Sequence, residues 1–365
     1  MGLPKINVEV NKNGLGRVED LGGGVPAIIV KLTTAPQGHA FGVVKSYLSY
    51  SQLPEELQQQ QALQMYFKMA EGRKVYVMPV ASTVSSEVIL DKQSATPYAK
   101  QLLEAGKGEI AMLALIDALS GDKLTAALTA AQNLGVDEAL AFEPVVFLLG
   151  AAYTEELPDL TKASYEHCSV LITNTGSEIG LLLGRLAATP VQRQPGRVKD
   201  GALPLTEAFV NDKRVENARL EIETASSKGY MTVYTISGKA GYYFADAPMA
   251  CAVTGDFAEI PLRRVINKLI RVAYGVYVNE LMDEIALEED GTLRPGVIKY
   301  YEGLIENAVN EQMTADGEVS ACRAEMATDQ NVVASGCLTV SLKVIPMGYA
   351  KEITVDLGFT KAFEN

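Results

Sequence analysis

Two histidines, four cysteines and one glycine-rich turn are the residues whose chemistry would matter most if the fold brought them together. His39 lies in Gln37-Gly38-His39-Ala40, and His167 stands just before the apolar run Cys168-Ser-Val-Leu-Ile172. Neither belongs to an H-E-x-x-H pair, and no G-x-S-x-G elbow or spaced Ser/His/Asp set occurs. Cys168, Cys251, Cys322 and Cys337 are scattered without a C-x-x-C pair, so they read as buried free thiols of a reducing compartment and not as disulfides or metal ligands. Gly176-Ser-Glu-Ile-Gly180, with Gly184 beyond it, lacks the G-K-[ST] ending of a phosphate loop and the spacing of G-x-G-x-x-G. Glycine there reads as allowing close helix packing. Asp283/Glu284 and Glu288/Glu289/Asp290 read as solvated carboxylates, and Asp246 and Asp256 as turn residues that cap backbone donors. No catalytic, cofactor-binding or metal site is expected from these groups.

The elements that would have to position such chemistry set the class instead. At 365 residues the chain is long for one core, which predicts two domains or one domain with an insertion. Hydrophobic content of 48% argues for a packed globular protein. A net charge of -13 argues against sequence-independent nucleic-acid binding, although a local basic face would still suit an acidic partner. No signal peptide pattern opens the chain, and the longest apolar runs, such as Pro144 to Ala152, are far short of a membrane span. These features predict a soluble cytoplasmic product.

From residue 25 to about 190, strands alternate with single helices, the pattern of an α/β layer with at least partly parallel strands. Strands are expected at Val25–Leu32, Val75–Val80, Glu109–Ile116, Pro144–Leu149 and Cys168–Thr173. Helices are expected at Gln52–Glu71, Ala95–Ala105, Lys123–Leu134 (ended by Gly135), Glu155–Glu166 and Glu178–Ala188. The glutamine run Gln58–Gln61 reads as a solvated helix face. Beyond the loop Thr189–Pro204, with its basic trio Arg193, Arg197 and Lys199, a short helix is expected at Leu205–Val210. Strands follow at Arg219–Glu223, Tyr230–Ile236 and Gly241–Ala245.

The most specific stretch is Gly241 to Pro346. Pro261 opens a helix on which Leu262, Val265, Ile266, Leu269, Ala273, Val276 and Leu281 make one apolar face. Arg263, Arg264, Lys268 and Arg271 fall largely on other faces of its N-terminal half, against the preference of the helix dipole. Either a partner or tertiary salt bridges would explain cations retained there. A second helix is expected from Pro295 to Gln312, then strands at Glu318–Met326, Cys337–Ile345 and Glu352–Leu357. At the other end, the alternating Ile6, Val8 and Val10 form one exposed strand on a tether ending at Gly22-Gly23-Gly24. Such a strand pairs at home, adds to another molecule's sheet edge, or is an ordinary disordered terminus.

Several features of the C-terminal third together resemble the contractile tail sheath proteins of phages and phage-like injection machines, in their compact prophage form. They are Gly241-Tyr-Tyr-Phe-Ala-Asp-Ala-Pro248, Arg264-Val-Ile-Asn-Lys268 on a long helix, the Gly317 turn, Asp329-Gln-Asn331 before Gly336-Cys-Leu-Thr-Val340, and Lys351-Glu-Ile-Thr-Val355. The resemblance spans roughly residues 230–358. It implies an α/β (α+β) fold of mixed sheets with flanking helices. The segments would be an N-terminal arm over 1–24, an α/β region over 25–204, a sheath-type domain over 205–350 and a C-terminal strand and tail over 351–365. It implies a non-enzymatic subunit, without cofactors, that polymerises helically in hexameric rings around an inner tail tube protein. A baseplate and a tail terminator would bound the polymer, which would form in the producing bacterium's cytoplasm and end in a virion or particle tail. The inter-subunit arms would be Ile6, Val8 and Val10 at one end and Ile353, Val355 and Leu357 at the other. Arg263, Arg264, Lys268 and Arg271 are the expected tube contacts. An α/β nucleotide- or small-molecule-binding enzyme and a non-contractile scaffold protein are the alternatives.

Overall fold

The computed structural model describes residues 23–355. The first half of the chain carries β1 (Val25–Leu32), β2 (Lys45–Tyr47), α1 (Glu55–Gln58), α2 (Gln61–Met69) and β3 (Val75–Ala81). Next come α3 (Ser86–Leu90), α4 (Tyr98–Ala105), β4 (Ile110–Ile116), α5 (Gly121–Leu140) and β5 (Val146–Ala151). After them stand β6 (Ser164–Tyr165), β7 (Cys168–Ile172) and α6 (Ser177–Ala188). The second half carries β8 (Phe209–Val210), β9 (Lys213–Arg214), α7 (Arg219–Ser227), β10 (Val233–Thr235), β11 (Tyr242–Phe244) and β12 (Ala250–Cys251). It ends with α8 (Ile260–Tyr277), α9 (Pro295–Val309), β13 (Val319–Glu325), α10 (Val332–Ser335) and β14 (Ser341–Pro346).

Six strands form the main sheet in the order β2-β3-β1-β4-β5-β7. All its pairings are parallel except that of β2 with β3. Its central strands are buried almost throughout, as expected when helices cover both faces of a parallel sheet. Helices α2 and α6 pack together through the glycines of α6. A Cβ on Gly184 would stand 2.8 Å from both the Met69 Cβ and the Tyr66 carbonyl oxygen, so glycine here permits close packing. This first core runs from Ala27 to Ile260, while α8, α9 and β13 share a second, smaller core of Val265, Leu269, Val272, Ile305, Val309 and Val319.

Several elements differ from the sequence reading. The expected helix at Gln52–Glu71 breaks into α1 and α2, and its glutamines mend the break. The Gln58 amide donates to Leu53 O at 2.8 Å, and that of Gln64 to Gln58 O at 2.8 Å. Gly135 lies inside α5 and does not end it, because a Cβ there would strike His167 at 2.7 Å. Glu155–Glu166 is mostly irregular, with a single 3₁₀ turn at Leu160–Lys162 and then β6. Leu205–Val210 forms no helix, and Arg219–Glu223 is the start of α7 and not a strand. Cys168 and Cys251 are buried, but Cys337 is exposed.

Candidate functional site

The sheet order reverses between β1 and β4, the place where open α/β sheets hold ligands. Here it is filled by the protein's own side chains. Lys31 donates to the Asp117 carboxylate at 2.9 Å and Ser86 at 2.5 Å, joining the ends of β1 and β4 to the start of α3. Burial pushes the Asp117 carboxyl up, but the bonds from Ser86 and Lys31 outweigh it and hold the group below its ordinary value. His39 is likewise occupied, bonding Val43 O at 2.8 Å and the Tyr47 hydroxyl at 2.9 Å. Among the described residues no group of three or more His, Cys, Asp or Glu side chains is arranged to hold a metal ion.

The polar groups that do converge lie on α8. Its start is fixed by Pro261 in the first turn behind Glu259, whose backbone is extended. Arg264, Asn267, Lys268 and Arg271 follow at i, i+3, i+4 and i+7, which is one face of a helix. That face is turned into the protein. Arg264 donates to the carbonyls of Leu186 (2.9 Å), Thr189 (3.3 Å) and Pro190 (3.3 Å). Leu186 belongs to the last turn of α6, so a cation meets the unsatisfied, negative end of that helix. Burial lowers the guanidinium of Arg264 to about 10, which leaves it charged at neutral pH.

Arg271 donates to Gly108 O, and at 2.9 Å to both Ile110 O and Pro144 O, so it clamps the start of β4 and the approach to β5. Lys268 donates to Gln312 O at 3.0 Å and pairs with Glu318 at 2.8 Å, tying α8 to the segment after α9. Arg263 lies on another face, with its Nη2 2.9 Å from His167 Nε2 and its guanidinium 5.2 Å from the centre of the Phe257 ring. Burial, with the Arg263 charge second, pushes His167 down to about 4, so the imidazole is neutral and acts as acceptor.

These positions correct the expectation of a displayed basic face. Arg263, Arg264 and Lys268 are buried and Arg271 is partly so, all engaged within the subunit and not presented to a tube. The sequence places them on one helix, but whether solvent or another layer covers that helix is a tertiary fact. Ile353 and Val355 are exposed, at 78% and 67%, and stand outside any strand. Ile6, Val8, Val10 and Leu357 lie outside the described residues.

The opposite face of α8 was read from sequence as one apolar stripe, and the structure divides it. Val265, Leu269 and Val272 are buried in the second core. Leu262, Ile266 and Ile270 instead line an open apolar groove of about 770 Å³, whose far wall is Leu342, Val344 and Pro346 of β14. Among the described residues β14 pairs only with β13, so one edge of the hairpin beside the groove is without a strand partner. The stripe's width was the available signal. Apolar residues at 262, 265, 266, 269, 270, 272 and 273 cover more of the helix than one packing partner needs.

A family model described as "DUF2586, N-terminal domain" matches residues 3–248, and one described as "DUF2586, C-terminal domain" matches residues 256–364. No curated protein matches the chain. Solved structures do. A chain of the anti-feeding prophage helical sheath in its contracted state is similar at a TM-score of 0.66 and 14% identity, over 99% of this chain and 100% of that one. A chain of the six-fold symmetrised anti-feeding prophage baseplate is similar at 0.66 and 15% identity, over 100% of both chains. A chain of the contracted PVC sheath complex, from an extracellular contractile injection system, is similar at 0.63 and 14% identity, over 99% of this chain and 98% of that one. At these identities the likeness establishes the fold.

Proposed function

The chain belongs to the DUF2586 family, and from that premise, together with the fold it shares with contractile sheaths, we propose that it is the structural subunit of a contractile tail sheath. Subunits assemble as a strained helical sleeve around an inner tail tube protein, between a baseplate and a tail terminator. They then rotate and slide into a shorter, wider state of lower energy. The work comes from interface area gained on contraction, so no cofactor and no catalytic step enters.

The observation that carries this reading is the full-length likeness to a helical sheath chain, joined to the open groove between α8 and β14. A groove with an apolar floor and a free strand edge suits an extended segment added as a further strand, with backbone bonds giving affinity and alternate side chains giving specificity. The segments offered for it are the arms of neighbouring subunits, through Ile6, Val8 and Val10 and through Ile353, Val355 and Leu357. The buried cations of α8 hold the frame rigid behind the groove. No described helix is long and apolar enough to cross a membrane, so any envelope is met from outside the bilayer core.

Negative-stain electron microscopy of the purified chain, alone, with the tube protein as template, and after removal of residues 1–22, tests the proposal. Long hollow cylinders that disappear on truncation are expected. Closed particles of low-order symmetry, formed equally by intact and truncated chains with or without the tube, would sink it.

A further inference from the structure

A small cavity lies on the seam between α8 and the main sheet. Gly24 and Ala111 line it on the sheet side and Arg264, Asn267, Lys268 and Arg271 on the α8 side, around room of about 10 Å³. That is the space of one water-sized particle. Asn267 is only 3% exposed, and neither atom of its amide has a hydrogen-bond partner. The Nε atoms of Arg264 and Arg271 are also buried without a partner. The cavity lining brings three cationic side chains together and no carboxylate. Around it, Glu318 pairs with Lys268 and also favours the charge on Arg264 alongside Tyr349, while Glu143 and Glu138 favour that on Arg271.

We propose that this cavity is a site for a small anion, either a halide-sized ion or a single carboxylate oxygen. Carbonyl oxygens bring only partial charge to Arg264 and Arg271, and full charges in a low-dielectric seam are stabilised best by an opposite full charge. The unpartnered N–H groups give that charge donors, and the volume excludes a polyatomic ion such as sulfate from full entry. Two sources supply this chemistry. One is free halide. The other is the carboxylates of Glu19 and Asp20, which precede Gly23 by four and three residues, a reach of at most about 14 Å. The chain enters the described fold against this seam, since a Cβ on Gly23 would meet the Arg264 guanidinium at 2.6 Å. The inference does not depend on the sheath reading.

The test is thermal melting of the purified full chain at constant ionic strength, with sodium bromide replacing sodium gluconate. If free halide fills the site, the melting temperature of the wild type rises saturably, by about 2 °C at tenfold over half-saturation. Asn267→Leu, which fills the cavity, and Asn267→Asp, which brings its own carboxylate, each lose that rise. If the chain's own acid fills the site, the wild type is flat, while the double variant Glu19→Gln/Asp20→Asn melts lower in gluconate and recovers in bromide. Bromide that moves neither the wild type nor the double variant overturns the proposal in favour of a buried water. A bromide response that both Asn267 variants keep overturns it as a general salt effect.

Discussion

Arg263 reaches His167 from α8, its Nη2 2.9 Å from the imidazole Nε2, so a permanent cation faces a ring held neutral by burial. The ring sits just before β7, and the pair joins the two cores of the subunit. With the folded pKa at about 4 against an ordinary 6.5, the unfolded chain binds a proton between those values and the folded chain does not. Stability therefore falls as pH drops from 6.5 to 4 and levels off below, a loss of roughly 3 kcal/mol at most. Urea unfolding at pH 7.0 and 4.5 should show that loss, and His167→Gln should flatten this part of the profile.

Arg264→Met tests the seam itself. The substitution leaves three carbonyls at the end of α6 without their donor, and burial denies them water. A cost of about 2–4 kcal/mol is expected in denaturant unfolding, with faster hydrogen exchange in the last turn of α6. Arg219→Ala, which breaks an exposed pair with Glu223, should cost well under about 1 kcal/mol. A seam variant that unfolds normally but fails to bind a tube would restore the surface role that burial argues against.

The α/β layer was legible from sequence because its strands are buried on both faces and read as short aliphatic runs, as at Ile110–Ile116. The failures share a cause: the sequence pattern was local and the determinant was not. Gly135 looks like a helix stop, yet it is required by His167 from another element. Arg219–Glu223 alternates like a strand, but Ile222 packs on the first core as part of α7. The cations of α8 were located to the residue, while their inward direction depends on carbonyls 74 to 163 positions away. The groove beside β14 was invisible for the same reason, since its two walls are some 70 residues apart in sequence.

Gly184→Ala separates intrinsic propensity from packing. Alanine improves an isolated helix by about 1 kcal/mol, so a helix acting alone would gain. Here the added methyl meets Met69 and the Tyr66 carbonyl at 2.8 Å, where neither α2 nor α6 has room to yield. Net destabilisation of about 1–3 kcal/mol is expected by chemical denaturation. A gain in stability would show that the two helices can move apart.

Ile266→Glu addresses the groove without touching the seam. Ile266 is only partly buried, on the face of α8 that looks across to Leu342 and Val344. A carboxylate there stays hydrated in the isolated subunit, so its melting should change little, by the roughly 0.5 kcal/mol typical of surface substitutions. Once an extended segment covers the groove, the same carboxylate is stripped of water with no cation opposite it, and docking loses several kcal/mol. Electron micrographs should then show folded but dispersed subunits in place of cylinders, and Ile266→Val should assemble normally. Cylinders formed by Ile266→Glu at wild-type concentrations would place the arm's docking surface elsewhere on the subunit.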